Sequence, residues 1–253
     1  GMIDGSGANG ASGDVVVGDN ATITVDAGNL ADADASNVDG DAYAAARVSE
    51  TFGLESIQMT VGDSGSLTVN ADADALASAV TVGDPTATGL GSGADANADA
   101  DATSVVGISD LGSGTGEFTF GNDATVTARA GTSADRVTVG ADADTETGDA
   151  IANAASTVVA GIQDTQNGSA TAVNQLTVGN DGTITGTAFT DFDATADTTS
   201  GIADADVQVG SDGTAATGVF GVQVDEIVVG DGGVVQGQAG SQINVSANTV
   251  QGI

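Results

Sequence analysis

Residues 93–110 read GADANADADATSVVGISD. In an extended chain successive side chains point to opposite faces, so Ala94, Ala96, Ala98, Ala100 and Ala102 share one face. Asp95, Asn97, Asp99 and Asp101 share the other. A run of Ala fits an interior too narrow for Leu or Phe, which would overpack it. The larger residues of the VVGI phrase that follows suit a wider part of the same core, and Gly107-Ile108 is expected to turn the chain into its next coil.

The pattern recurs along the chain. Ala/Asp runs appear as LADADAS from Leu30, NADADALAS from Asn70, GADADTET from Gly140 and DFDATADT from Asp191. A second phrase, apolar-x-apolar-Gly-Asp/Asn followed by a Thr-rich strand, begins at Val15, Met59, Phe118, Leu176 and Ile227. A third, Gly followed by an apolar residue, recurs at Gly53, Gly107 and Gly161, at two equal intervals. Self-similarity of this kind marks a repeat architecture whose units share one core by stacking. The sequence units run approximately 1–52, 53–106, 107–160, 161–220 and 221–253.

The repeats predict an all-β, parallel β-solenoid forming a single domain over 1–253. Counting every Gly-centred turn, at Gly62, Gly83, Gly107, Gly121, Gly140, Gly161, Gly179, Gly201 and Gly221, gives coils of roughly 18–24 residues, with two to three coils in each unit of about 54 residues. About thirteen coils at the strand spacing of ~4.8 Å would make a rod roughly 60 Å long. Apolar residues show no 3.6-residue stripe; DAYAAARVSE, 41–50, is the one stretch that reads as a helical turn.

Composition excludes several functions. Three basic residues, Arg47, Arg129 and Arg136, stand against 36 acidic ones, and the net charge is −33. Such a surface repels nucleic acid and anionic membranes. No run is long enough to span a bilayer, so membrane insertion is not expected. There is no Cys and no His, which removes disulfides, thiolate metal sites and histidine catalysis. Aromatic residues make up 3%, too few to wall a substrate cleft, and Asp is so frequent that no carboxylate pair stands out for glycoside hydrolysis. An enzyme is not expected, and no catalytic residue is assigned.

Rows of carboxylates offer hard oxygen ligands suited to Ca²⁺. The candidate ligands are Asp19, Asp63, Asp72, Asp74, Asp95, Asp99, Asp101, Asp123, Asp142, Asp144 and Asp181; the simpler reading is an acidic wall that keeps sheet surfaces soluble. GNDGT, 179–183, resembles one turn of the RTX calcium solenoids. Thr recurs two residues before the turn Gly and as T-[IV]-T at 22–24, 125–127 and 183–185. Thr on a flat wall resembles ice-binding solenoids, but copies two or three coils apart would not form a continuous lattice, so β-branched strand preference accounts for them.

The first residues, GMID, match the unit opening GISD, and the last, ANTVQGI, match the unit closing ATSVVGI, so the chain reads as starting and stopping at one phase. Gly1, Met2, Ile3, Val250, Gly252 and Ile253 are the expected subunit interface of a head-to-tail homopolymer. In overall style the chain resembles the Gly/Ala/Asp-rich β-solenoid proteins of prokaryotic extracellular fibres and adhesins. That resemblance implies an extracellular structural subunit that stacks into a filament, or the stalk of a cell-surface adhesin or surface-layer protein.

Overall fold

A computed structural model describes residues 2–3, 14–38, 40–56, 58–82, 93–110, 117–164, 175–210 and 218–250. The fold is all-β with parallel sheets; strands are numbered in chain order. The first sheet has seven strands: β1 (Met2–Ile3), β4 (Ala42–Ser56), β7 (Ala96–Asp110), β11 (Ala150–Ser156), β12 (Val158–Asp164), β15 (Ala203–Val209) and β16 (Gly218–Val224). The second has five: β2 (Asp14–Val17), β5 (Gln58–Val61), β8 (Glu117–Phe120), β13 (Gln175–Val178) and β17 (Glu226–Val229). The third has six: β3 (Thr22–Asn37), β6 (Ser66–Thr81), β9 (Thr125–Ala130), β10 (Val137–Thr147), β14 (Thr183–Ser200) and β18 (Val234–Thr249).

Every strand pairs in parallel with its counterpart one sequence unit away. Ala42, Ala96, Ala150 and Ala203 are neighbours in the first sheet, and Val15, Met59, Phe118, Leu176 and Ile227 in the second. Paired residues are therefore 44 to 59 positions apart at the corner between the second and third sheets, and 54 apart at the start of β7 and β11. The stacking repeat is thus corrected from the expected short coil, two to three to a unit, to one whole unit. The Gly residues that suggested the shorter period belong to three different structural classes. Gly62, Gly121 and Gly179 open tight turns, Gly107, Gly161 and Gly221 lie inside strands, and Gly140 lies within β10. Gly83 is outside the described residues. Five paired strands at ~4.8 Å span only about 24 Å, well short of the roughly 60 Å expected from short coils.

The alternation in 93–110 behaves as the sequence reads. Ala94, Ala96, Ala98, Ala100 and Ala102 are buried, with Asp95 exposed and Asn97, Asp99 and Asp101 half-buried on the outer face. Residues 41–50 are not helical: Ala42, Ala44, Ala46 and Val48 are buried and alternate with exposed neighbours within β4. Burying four small side chains against the facing sheet outweighs the weak helix preference of an Ala-rich decapeptide, which is marginal in isolation.

The core has two compartments. One is almost entirely Ala, walled by the first half of the first sheet and the C-terminal half of the third. The other holds the larger side chains, among them Leu54, Met59, Leu67, Ile108, Phe118 and Leu176. Where they meet, the two sheets touch backbone to backbone. A Cβ on Gly107 would lie 2.6 Å from Gly161 O and 2.8 Å from Arg129 N, and one on Gly161 2.8 Å from the Gly186 carbonyl carbon. Gly107 and Gly161 are therefore close-approach residues in the middle of strands, not turns into the next coil, whereas Gly201 lies at the bend between β14 and β15.

The two ends of the chain do not share a phase. Met2 pairs with Leu54 in the first sheet, whereas Thr249 pairs with Thr198 in the third. The sequence match at the ends arises because short Gly-Ile phrases occur at two places in a unit, at Gly161-Ile162 and at Gly201-Ile202.

Candidate functional site: stacked side-chain ladders and a carboxylate-free edge strand

Each β2-type strand ends in a four-residue turn: 18–21, 62–65, 121–124, 179–182 and 230–233. The fourth amide donates to the first carbonyl, as in Gly65 N–H to Gly62 O at 3.0 Å. The third residue is left-handed in every case: Asn20, Ser64, Asp123 and Asp181 have φ of 54–57°, and Gly232 has 73°. Strained conformations of this kind favour Gly, Asn and Asp.

The second residue of each turn builds a ladder. The Asp63 amide donates to Asp19 Oδ1 at 2.9 Å, Asn122 to Asp63 Oδ1 at 2.7 Å, Asn180 to Asn122 Oδ1 at 2.9 Å and Asp231 to Asn180 Oδ1 at 2.9 Å. A second ladder lies where the third sheet hands over to the first. There Asp95 donates to Asp41 Oδ1, Asp149 to Asp95 Oδ1 and Ile202 to Asp149 Oδ1, at 3.0, 2.9 and 2.9 Å. Beside it the buried hydroxyls of Thr81, Thr145 and Thr198 donate to the carbonyls of Gly40, Ala94 and Gly148. Satisfying backbone donors at these two corners lets irregular segments stack without exposing unpaired polar groups.

The candidate metal ligands separate into four groups. Asp19, Asp63 and Asp95 are ladder rungs, each accepting a backbone amide. Asp99 accepts from Tyr43 Oη and Asn153 Nδ2, and Asp101 from Thr103 Oγ1. Asp123 and Asp181 are the left-handed turn residues, the adjacent Asn122 and Asn180 being the rungs. Asp72, Asp74, Asp142 and Asp144 stand in rows on the outer face of the third sheet. Burial pushes the carboxyl of Asp72 above the usual carboxylate range, helped by Asp74 and Asp135. Asp142 is raised in the same way by burial, then by Asp144, Asp197 and Asp193. Among the described residues no three acidic side chains come together as a metal-binding group.

Two shallow grooves cross this outer face. One is lined by Asp32, Asp34, Leu76, Asp142, Asp193 and Asp197, the other by Asp26, Asn70, Asp72, Arg129 and Asp135. Arg129 donates to Asn70 Oδ1, and Arg136 stacks over Phe189 and donates to the Thr190 carbonyl. Both cations are held in structural contacts.

The Thr pattern is more continuous than the sequence implied. Register places Thr24, Thr68, Thr127 and Thr185 in one row, and Thr22, Ser66, Thr125 and Thr183 in the row beside it. Because neighbouring strands are whole units apart, T-x-T once per unit is once per strand.

The edges of the sheets differ. In the last unit, inward residues are open to solvent: Ile243 is 52% exposed where its neighbour Phe192 is 0%, and Val229 is 43% exposed where Val178 is 1%. In the first unit Val15, Val17 and Val25 are buried. The outer face of β18 carries Gln236, Gln238, Gln242, Asn244, Ser246 and Asn248, with no carboxylate, whereas β3, β6, β10 and β14 all carry two or more Asp. Of the expected interface residues, Met2 and Ile3 form β1 at one edge and the exposed Val250 follows β18 at the other; Gly1, Gly252 and Ile253 lie outside the described residues.

No family model, curated protein or solved structure matches this chain.

Proposed function

We propose that the three sheets are the walls of a parallel β-solenoid with one turn per sequence unit, and that the chain is a structural subunit of an extracellular filament built by head-to-tail stacking. The observation that carries this reading is the use to which the polar residues are put. Carboxylates and amides at the corners hydrogen-bond to the backbone one unit away, so the distinctive chemistry of the sequence serves axial stacking. The remaining Asp residues cover the lateral faces, where like charge opposes side-by-side association of sheets.

Negative-stain micrographs of the purified chain, with and without Ca²⁺, test the proposal. Thin unbranched filaments are expected; isolated particles at all concentrations would overturn it and favour the stalk of an adhesin or surface-layer protein. Filaments that form only with Ca²⁺ would assign the lateral Asp rows a bridging role.

The double row of Thr and Ser on β3, β6, β9 and β14 favours a second reading, ice binding. Thermal hysteresis that disappears on Thr68→Lys and Thr127→Lys would support it. A freezing point indistinguishable from that of albumin at equal concentration would remove it.

A further inference from the structure

We infer that the edge formed by β17 and the carboxylate-free β18 receives the β2–β3 edge of a second copy, in the register Val234 to Thr22, with Asp231 and Asp19 forming the next rung of the turn ladder. This rests on the filament reading and adds the joint, its register and its polarity.

Four features of the two edges fit each other. Their strands match in length: β2 and β17 have 4 residues each, and β3 and β18 have 16 each. The open apolar side chains of Ile227, Val229, Ile243 and Val245 are the positions whose counterparts one unit earlier, Leu176, Val178, Phe192 and Ala194, are buried under a following strand. A further strand would bury them likewise, and burial of this apolar area is the driving force for association.

Charge is the third feature. Continuing the register along β18 sets Gln238 beside Asp26 and Asn244 beside Asp32 of the second copy, and along the short β17 it sets Glu226 beside Asp14, a like-charged pair. Amide-to-carboxylate rungs of this type already join neighbouring strands within the chain: Asn70 to Asp26, Asn153 to Asp99 at 2.8 Å and Gln175 to Glu226 at 3.1 Å. Two copies of an Asp-bearing strand would instead face each other with like charges about 5 Å apart, costing on the order of 1 kcal/mol per pair in water. A long edge strand without charge is ordinarily an aggregation hazard, so the neutrality of β18 fits a strand that is covered in the working assembly.

The fourth feature is Gly18. A Cβ on Gly62, Gly121 or Gly230 would lie 2.3, 2.6 or 2.7 Å from the ladder oxygen of the preceding turn, on Asp19, Asp63 or Asn180. The first turn keeps Gly at the same position, yet nothing lies within 4 Å of a Cβ there. A preceding Asx oxygen, supplied by Asp231 of the first copy, gives Gly18 of the second copy the role of its counterparts. Among the described residues β15 is the last strand on its path of the first sheet, so the joint is argued from the second and third sheets.

Three variants test the joint. Gly18→Ala removes no contact within the chain and is expected to keep the Tm of the single subunit, while raising the concentration needed for assembly by about tenfold or more. Thr24→Cys combined with Gln236→Cys, on two exposed strand faces, is expected to give disulfide-linked chains of subunits. The two positions are paired across the joint but about 19 Å apart within one molecule, beyond disulfide reach. Thr24→Cys with Asn244→Cys, about 26 Å out of register along the strand, is expected to stay unlinked. Filaments that form normally with Gly18→Ala, or that cross-link equally in both cysteine pairs, would overturn the joint and leave the filament reading standing. A wild-type chain that never assembles would overturn both.

Discussion

The amide of Asp63 donates to Asp19 Oδ1 at 2.9 Å, and the acceptor oxygen sits 2.3 Å from where a Cβ on Gly62 would be. One hydrogen bond therefore fixes two residue types. Gly62→Ala is expected to destabilise the fold by about 3 kcal/mol, since the obstacle includes the Asp19 backbone as well as its side chain. Asp63→Ala removes a rung and is expected to cost about 1 kcal/mol. Asp63→Asn keeps the acceptor, as Asn122 and Asn180 do, and should stay within about 0.5 kcal/mol of the parent. Urea unfolding of the three variants orders them; equal midpoints for Ala and Asn at position 63 would contradict the ladder.

The Ala compartment sets a strict size limit. Ala98 is fully buried and lies between Ala44 and Ala152 in the neighbouring strands. Ala98→Leu is expected to destabilise by about 3 kcal/mol through overpacking, and Ala98→Gly by about 1 kcal/mol. A Leu variant of unchanged stability would mean that the sheets are not held this close.

Acidification should stabilise the chain before it destabilises it. Asp72 and Asp142 are both held above the ordinary carboxylate range, so the folded state binds their protons more tightly than the unfolded state. Their contribution is fully present below the unfolded pKa and lost as pH rises through the raised folded values. Tm is therefore expected to climb as pH falls from 7 towards those folded values, and Asp72→Asn with Asp142→Asn should flatten that climb. A Tm that falls steadily from pH 7 downward would contradict the origin given for the shifts.

Cations should act on the outer rows by screening. The Asp side chains of β6, β10 and β14 share one outer face, with Asp144 directly beside Asp197, and the ladder carboxylates already accept hydrogen bonds. Millimolar Ca²⁺ is expected to raise Tm no more than Mg²⁺ at the same concentration. A calcium-selective rise of several degrees, lost in Asp142→Asn, would instead establish a specific site.

Much of this was legible in the residues. Alternation gave the strands, the buried Ala positions and the parallel repeat, because a period of two and the recurrence of whole phrases from unit to unit are both visible without coordinates. The length of the stacking repeat was not, because Gly serves here at tight turns, at mid-strand contacts between sheets and within β10, and a count of glycines merges the three. The ladders do leave a trace in the residues: Asp41, Asp95 and Asp149 recur at equal intervals, and an Asx follows the Gly of every turn. The choice between Asn122 and Asp123 as the rung depends on which residue is left-handed, which composition does not encode. The neutrality of β18 was present in the sequence as well, but it gained meaning only once that strand proved to be an edge.

The most direct measurement of the central claim is the axial repeat of the assembled protein, taken from the layer lines of electron micrographs or fibre diffraction. Five strand spacings per subunit give a repeat of about 24 Å on top of a ~4.8 Å meridional reflection. A repeat of roughly 60 Å, the length that short coils at the same strand spacing would give, or a protein that stays as single particles at every concentration, would contradict it.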